Sequence, residues 1–144
     1  MSAEENKSLV RRYLDEVWQE RNIAALDEFL APNYRRYLSP TAGPLTPEGQ
    51  RQRITGFRAA FPDLHLTLED IFADGDRVAF RSTIRGAHQG VFQGLAPTGK
   101  QVTVSLLDVV RIENGRFAEH WGGPDLWDLL RQIGAEVSIG PDRP

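Results

Sequence analysis

A chain of 144 residues fits one domain, and a domain near this size buries about 70% of the surface its unfolded chain exposes, room for one core with a pocket in it. The absence of cysteine excludes a disulfide framework, a thiolate metal site and a cysteine nucleophile. Seventeen Lys and Arg against twenty Asp and Glu give a formal charge of -3 without a basic cluster, so no nucleic-acid partner is expected. The first residues, MSAEENKS, are acidic and polar where a signal peptide is basic and then apolar. No apolar run approaches the ~20 residues of a membrane span. A cytoplasmic chain with no membrane contact is the expectation.

Ser2 with Glu5 three positions on forms a capping box, and Leu9, Val10, Tyr13, Leu14, Val17 and Trp18 recur at helical spacing. This predicts an amphipathic helix to about Arg21. Asn22 can cap a short second helix carrying Leu26, Phe29 and Leu30, which Pro32 stops. Residues 33 to 45 hold a short strand at most and then a Pro/Gly loop. Thr46 and Pro47 start a third helix, with Ile54, Phe57 and Phe61 inward and Pro62 at its end.

From Leu64 the apolar period changes to two, and the remainder reads mostly as sheet. A turn at Ala73 to Asp76 precedes a strand from Arg77 to about Arg85, then a loop to Lys100. Two strands, Gln101 to Ile112 and Arg116 to Trp121, flank Glu113, Asn114 and Gly115. Pro124 is read as the opening of a last helix that Gly134 ends, with an irregular tail from about residue 136. With no repeat or linker, residues 1–144 read as one α+β domain in which helices come first and an antiparallel sheet folds over them.

The apolar face of strand 101–112 is interrupted by one carboxylate, Asp108. Removed from water, such a group is suited to acid/base work, whereas a solvent-open patch or an arginine partner would explain it structurally. Whether it meets His120 depends on the turn. A two-residue type I′ loop at Asn114-Gly115 sets Asp108 opposite Trp121 and turns His120 to the other face. A three-residue loop with a G1 bulge pairs Ile112 with Arg116, Val110 with Ala118 and Asp108 with His120. The second is preferred, because it puts an acid/base couple on one lining with Leu106 and Gly122. Such a couple is expected to titrate as a unit, the carboxylate ionised because the imidazole shares its proton.

His65 falls on the polar side of its strand, whereas His88 lies where a strand enters the long loop and could reach a pocket mouth. The scattered histidines, with Asp108 and Asp125, have no metal-ligand spacing, and no metal is expected. GLAPTGK lacks phosphate-loop spacing and reads as a turn. The aromatic residues are core-forming one by one, yet a pocket in so small a domain borrows walls from them. The residues expected to contact a ligand are Trp18, Tyr37, Phe57, Phe61, His88, Phe92, Leu106 and Gly122.

The stretches HQGVFQGLAPTGKQV, VVRIENGRFAEHW and LLRQIGA together resemble the SnoaL-like polyketide cyclases, or ester cyclases, of the nuclear-transport-factor-2-like superfamily. The likeness runs from the Leu9 to Trp18 helix through Pro32 to Tyr34 as far as Gly134. The Gly-x-Phe-x-Gly-x-x-Pro-Thr-Gly-Lys pattern at Gly90 to Lys100 is specific to this branch. The resemblance implies a cone-shaped curved antiparallel sheet wrapped around N-terminal helices, an apolar pocket in its open end, and a homodimer through the sheet. It also implies aldol closure of a polycyclic ketide ester with no metal or organic cofactor. The acid/base aspartate of ring-closing members falls here at Gly122, and they carry histidine at the position of Asp108. Relatives lacking that aspartate are associated with polyketide hydroxylation.

Three functions follow. The first is a cofactor-independent enzyme in which Asp108 takes a proton alpha to a carbonyl and His120 orients it or returns the proton. The second is a polyketide hydroxylase component requiring a reductase partner. The third is a non-catalytic module that binds a small apolar or aromatic ligand. Fold does not choose between them.

Overall fold

The computed structural model describes residues 2–135; the irregular tail expected from about residue 136 lies outside them. Helix α1 (Ala3–Tyr13) begins at the capping box, with Ser2 Oγ accepting from the Glu5 backbone N–H at 3.1 Å and the Glu5 carboxylate accepting from Ser2 N at 3.2 Å. The helix continues as a wider π turn over Leu14–Gln19, which Arg21 ends at φ 59°. The widened turn keeps Leu14, Val17 and Trp18 buried although the chain leaves α geometry there.

The second helix is shorter than expected. A 3-10 turn (Ile23–Ala25) leads into α2 (Leu26–Phe29), and Asn22 makes no side-chain cap. Leu30 already belongs to β1 (Leu30–Tyr37), so Pro32 lies inside a strand instead of stopping a helix. It is tolerated because β1 is an edge strand whose register shifts between Leu30 and Arg35. Helix α3 (Pro47–Ala60) starts at Thr46, whose hydroxyl accepts from Gly49 N.

The sheet runs β2 (His65–Asp74), β3 (Arg77–Ala87), β4 (Gln101–Glu113) and β5 (Arg116–Pro124), in the order β1-β5-β4-β3-β2. It is antiparallel except at its edge: β1 pairs parallel with β5, so the sheet is mixed. Curved but not closed, it carries α1 against β2 and β3 and α3 against β1. Helix α4 (Leu126–Gln132) starts two residues later than expected. Asp125 caps it by accepting from Asp128 N, and Pro124 ends β5.

The β4–β5 hairpin follows neither anticipated register. Asn114 (φ 52°) and Gly115 (φ 73°) form the two-residue turn that positive φ at both positions requires, and Glu113 pairs with Arg116 and Ile112 with Phe117. An extra residue then enters β5. Beyond this bulge Arg111 pairs with Glu119, Val110 with His120, and Asp108 with Gly122. Phe117 and the adjacent Ala118 are both buried, the mark of the lost alternation. The expected pairs Ile112–Arg116, Val110–Ala118 and Asp108–His120 are therefore replaced. The parity change nevertheless returns His120 to the face that carries Asp108, because a shift of one residue exchanges the faces of a strand.

Phe117 seats this bulge in the core. It is fully buried, with its ring 5.0 Å from Tyr13 and 6.5 Å from Phe29. Replacing it by Ala should cost about 3–5 kcal/mol of stability, measured as a lower urea midpoint at unchanged m-value. A loss below about 1 kcal/mol would mean that the bulge is held by the turn alone.

Candidate active site

Alternation along β1 points Tyr34 and Arg36 inward and Arg35 and Tyr37 outward. In the parallel pairing Arg36 lies beside His120, and across β4 stands Asp108, its strand neighbours Phe80 and Gly122. The three side chains meet out of water: Arg36 is 2% exposed, Asp108 6% and His120 2%. His120 Nε2 is 2.8 Å from Asp108 Oδ1, and Arg36 Nη2 donates to the same oxygen at 3.3 Å. Arg36 Nη2 also donates to the Gly122 carbonyl at 2.8 Å, and Nη1 lies 3.2 Å from His120 Nδ1. Tyr34 Oη stands 3.1 Å from the same Nδ1.

These contacts determine the imidazole's proton. A guanidinium has only donors, so Nδ1 facing Arg36 is the bare, accepting nitrogen. The proton is then on Nε2 and donated to Asp108. Burial pushes the His120 pKa down to about 4, Arg36 adds to the fall, and Asp108 opposes it. Tyr34 remains a neutral donor, since burial pushes its phenol up. The carboxylate's charge partner is thus Arg36 and not, as expected, a shared imidazole proton.

The three residues form one wall of a small cavity shared with Tyr13, Trp18, Arg53 and Ser82. Its free space is about 20 Å³, room for roughly one water molecule. Of the anticipated ligand contacts, Trp18, Phe57 and Leu106 line it. Phe92 instead lines a separate open groove, together with Phe57 and Arg53. Tyr37 is on the outer face, its ring stacked on Trp121 with centroids 4.3 Å apart. His88 is fully buried away from the mouth. Its Nδ1 accepts from Thr98 N at 3.3 Å, and its ring packs 5.6 Å from Phe61, so both residues anchor the 88–100 loop. That loop turns back through backbone bonds from His88 N to the Lys100 carbonyl and from Gly99 N to the His88 carbonyl, and through the reciprocal Phe92–Leu95 pair. Gly122 contributes its carbonyl to Arg36 and otherwise borders the outer sheet face.

Sequence reasoning missed Arg36, Tyr34, Arg53 and Ser82. The alternating Tyr34-Arg35-Arg36-Tyr37 was the available signal, but it speaks only once the segment is known to be a strand. Ser82 Oγ is buried beside the cavity with no hydrogen-bond partner among the described residues. No three His, Asp or Glu side chains among the described residues converge as a metal site.

A family model for SnoaL-like polyketide cyclase matches residues 8–133. The chain belongs to that family. It is 28% identical over 112 residues to the nogalonic acid methyl ester cyclase of Streptomyces nogalater, covering 76% of this chain and 83% of the relative. It is 26% identical to the aklanonic acid methyl ester cyclase DnrD of Streptomyces peucetius, covering 88% of each. The crystal structure of AclR, a proposed hydroxylase from Streptomyces galilaeus, superposes with a TM-score of 0.83 at 30% identity, covering 92% of this chain and 98% of AclR.

In this SnoaL-like chain the resemblance had set the cyclase aspartate at Gly122. The backbone there has φ +90°, and a Cβ would stand 2.1 Å from the Leu107 carbonyl oxygen. A side chain at 122 requires β4 to move, so Asp108 is the carboxylate this backbone accommodates.

The depressed His120 pKa fixes a pH dependence. The unfolded chain takes up a proton near 6.5 and the folded one only near 4, so stability is full above about 6.5 and falls as pH drops toward 4. The loss should be on the order of 3 kcal/mol. Urea midpoints from pH 7.5 to 4, compared with those of His120→Gln, should show this slope in the wild type and a shallower one in the variant. Equal slopes would assign the effect to other groups.

Proposed function

We propose that the chain catalyses a cofactor-independent aldol-type ring closure of a small polycyclic carbonyl substrate, with Asp108 as the proton acceptor. The observation that carries this is the asymmetry of the Asp108 carboxylate. Both donors, His120 Nε2 and Arg36 Nη2, fall on Oδ1, which leaves Oδ2 with lone pairs to spare at the wall of a mostly apolar cavity. His120 is a poor base, since one nitrogen carries the proton and the lone pair of the other faces Arg36 and Tyr34. Its role is to orient Asp108.

Asp108 takes a proton from the carbon between two carbonyl groups, and the negative charge passes from carboxylate to enolate. Arg36, no longer neutralised, faces that charge and stabilises it. The enolate carbon attacks a third carbonyl of the same molecule, one C–C bond forms as that C=O π bond breaks, and the resulting alkoxide recovers the proton from Asp108. The step is an isomerisation and needs no oxidant or metal. Ser82 Oγ offers a hydrogen bond to a substrate oxygen. With so little free space, substrate enters by displacing side chains of the cavity wall.

The likeness to AclR, a proposed hydroxylase, supports a second reading, a hydroxylase component, for which a reductase partner would be required. Product analysis with and without a reductase separates the two. Aklanonic or nogalonic acid methyl ester, the compounds named for the related cyclases, serve as probe substrates. Asp108→Asn should lower ring closure by about 10²- to 10⁴-fold while the fold persists. Closure unchanged in this variant, or product formed only with reductase present, would dismiss Asp108 as the base.

The outer sheet face exposes Phe72, Leu107 and Trp121, at 66%, 64% and 39%. The Asp70–Arg81 ion pair is on the same face. We propose that this mixed face pairs two copies into a homodimer. Sedimentation at micromolar concentration should show a dimer that Leu107→Glu dissociates; a wild-type monomer contradicts the pairing.

A further inference from the structure

The charges around the cavity do not balance. Arg36 is matched by Asp108, but Arg53, on α3, has no carboxylate and no hydrogen-bond partner among the described residues; its guanidinium lies over the Phe57 ring at 5.1 Å. Arg53 is only partly exposed. Burial and the neighbouring Arg36 push its pKa down to about 10, so it still carries its charge at neutral pH. The two guanidinium groups converge on β5. The position a Cβ would occupy at Gly123 is 2.8 Å from Arg36 Nη2 and 3.3 Å from Arg53 Nη2. Two cations, one anion and a neutral imidazole leave one uncompensated positive charge in a partly desolvated site. Such an arrangement is costly unless an anion completes it.

Arg53 also connects two spaces. It lines the small cavity with Asp108 and also an open groove of about 460 Å³ whose walls include Leu38, Phe57, Val91, Phe92 and Leu126. That groove is of the size that takes a ring system. Leu38 and Val91 stand exposed there at 46% and 64%.

We propose that Arg53 is an anion-recognition residue, selecting ligands that bear a free carboxylate on a flat aromatic ring system. The ring lies in the groove against Phe57, Phe92 and Val91, and its carboxylate meets the Arg53 guanidinium. A methyl ester, like those named for the related cyclases, has no charge at that group to offer the arginine. The proposal rests on the cavity and groove as a ligand site, but not on proton transfer by Asp108.

Calorimetry with 2-naphthoate and methyl 2-naphthoate at pH 7.5 tests it. Wild type should bind the carboxylate at least about tenfold more tightly than the ester, the worth of one charge-assisted hydrogen bond. Arg53→Gln should abolish that preference, and Arg53→Lys, which keeps the charge, should retain part of it; circular dichroism checks that each is folded. Asp108→Asn removes the anion that neutralises Arg36 and should strengthen the preference while ring closure falls. Loss of catalysis and loss of anion selection are therefore distinguishable. Equal binding of acid and ester, no binding of either at millimolar concentration, or a preference that survives in folded Arg53→Gln would each overturn the proposal.

Discussion

The buried ion pair between Arg36 and Asp108 is the constraint on which the site depends. Moving either charge out of water costs several kcal/mol, and further hydrogen bonds to the pair offset part of that cost, although Arg36 Nε is buried with no partner among the described residues. Asp108 Oδ1 also accepts from His120, and Arg36 also binds the Gly122 carbonyl and approaches His120 Nδ1. The same guanidinium therefore performs three tasks. It neutralises the carboxylate, ties the edge strand β1 to β5, and dictates which imidazole nitrogen is bare. Without it His120 would be free to act as the counter-cation of Asp108, and the division of roles between the two would be different.

Backbone irregularities bring these groups together. A regular hairpin with the Asn114-Gly115 turn would send His120 to the outer face and bring Trp121 inside. The extra residue at Phe117-Ala118 reverses this, and the glycines that follow let β5 pass close to β4 and to the two arginines. An exposed Trp121 stacked on Tyr37 is the other consequence of that shift. The conformation at Gly122 leaves no room for a side chain unless β4 moves.

Much of this was legible in the residues. The capping box, the Thr46-Pro47 helix start, the strand periods after Leu64 and the anomaly of Asp108 on an apolar face each have a local cause, and each element formed where its cause lies. Three features did not have local causes. Pro32 reads as a helix stop, yet an edge position in a parallel pair with β5 lets it sit in a strand, and that pairing is set by residues more than 80 positions away. The bulge arises because Phe117 and Ala118 both find room in the core, which no turn motif announces. Arg36 carries no local signal for burial, because the carboxylate that justifies it stands on β4, 72 positions away. His88 is expected at a pocket mouth because it lies where a strand enters the long loop, and Phe61 in a pocket wall because a small domain borrows its aromatic residues; the Thr98 contacts and the packing of the two rings make both anchors of that loop instead.

The central claim is that Arg36 holds His120 neutral with its proton on Nε2, leaving Asp108 as the base. Nitrogen-15 NMR of the histidine side chains in the intact protein at pH 7 tests it most directly. The account predicts that His120 shows a protonated Nε2 and a bare Nδ1, and that Arg36→Met permits protonation of Nδ1 at a higher pH than in the wild type. An imidazolium at pH 7 in the wild-type protein, or a neutral ring with its proton on Nδ1, would contradict it.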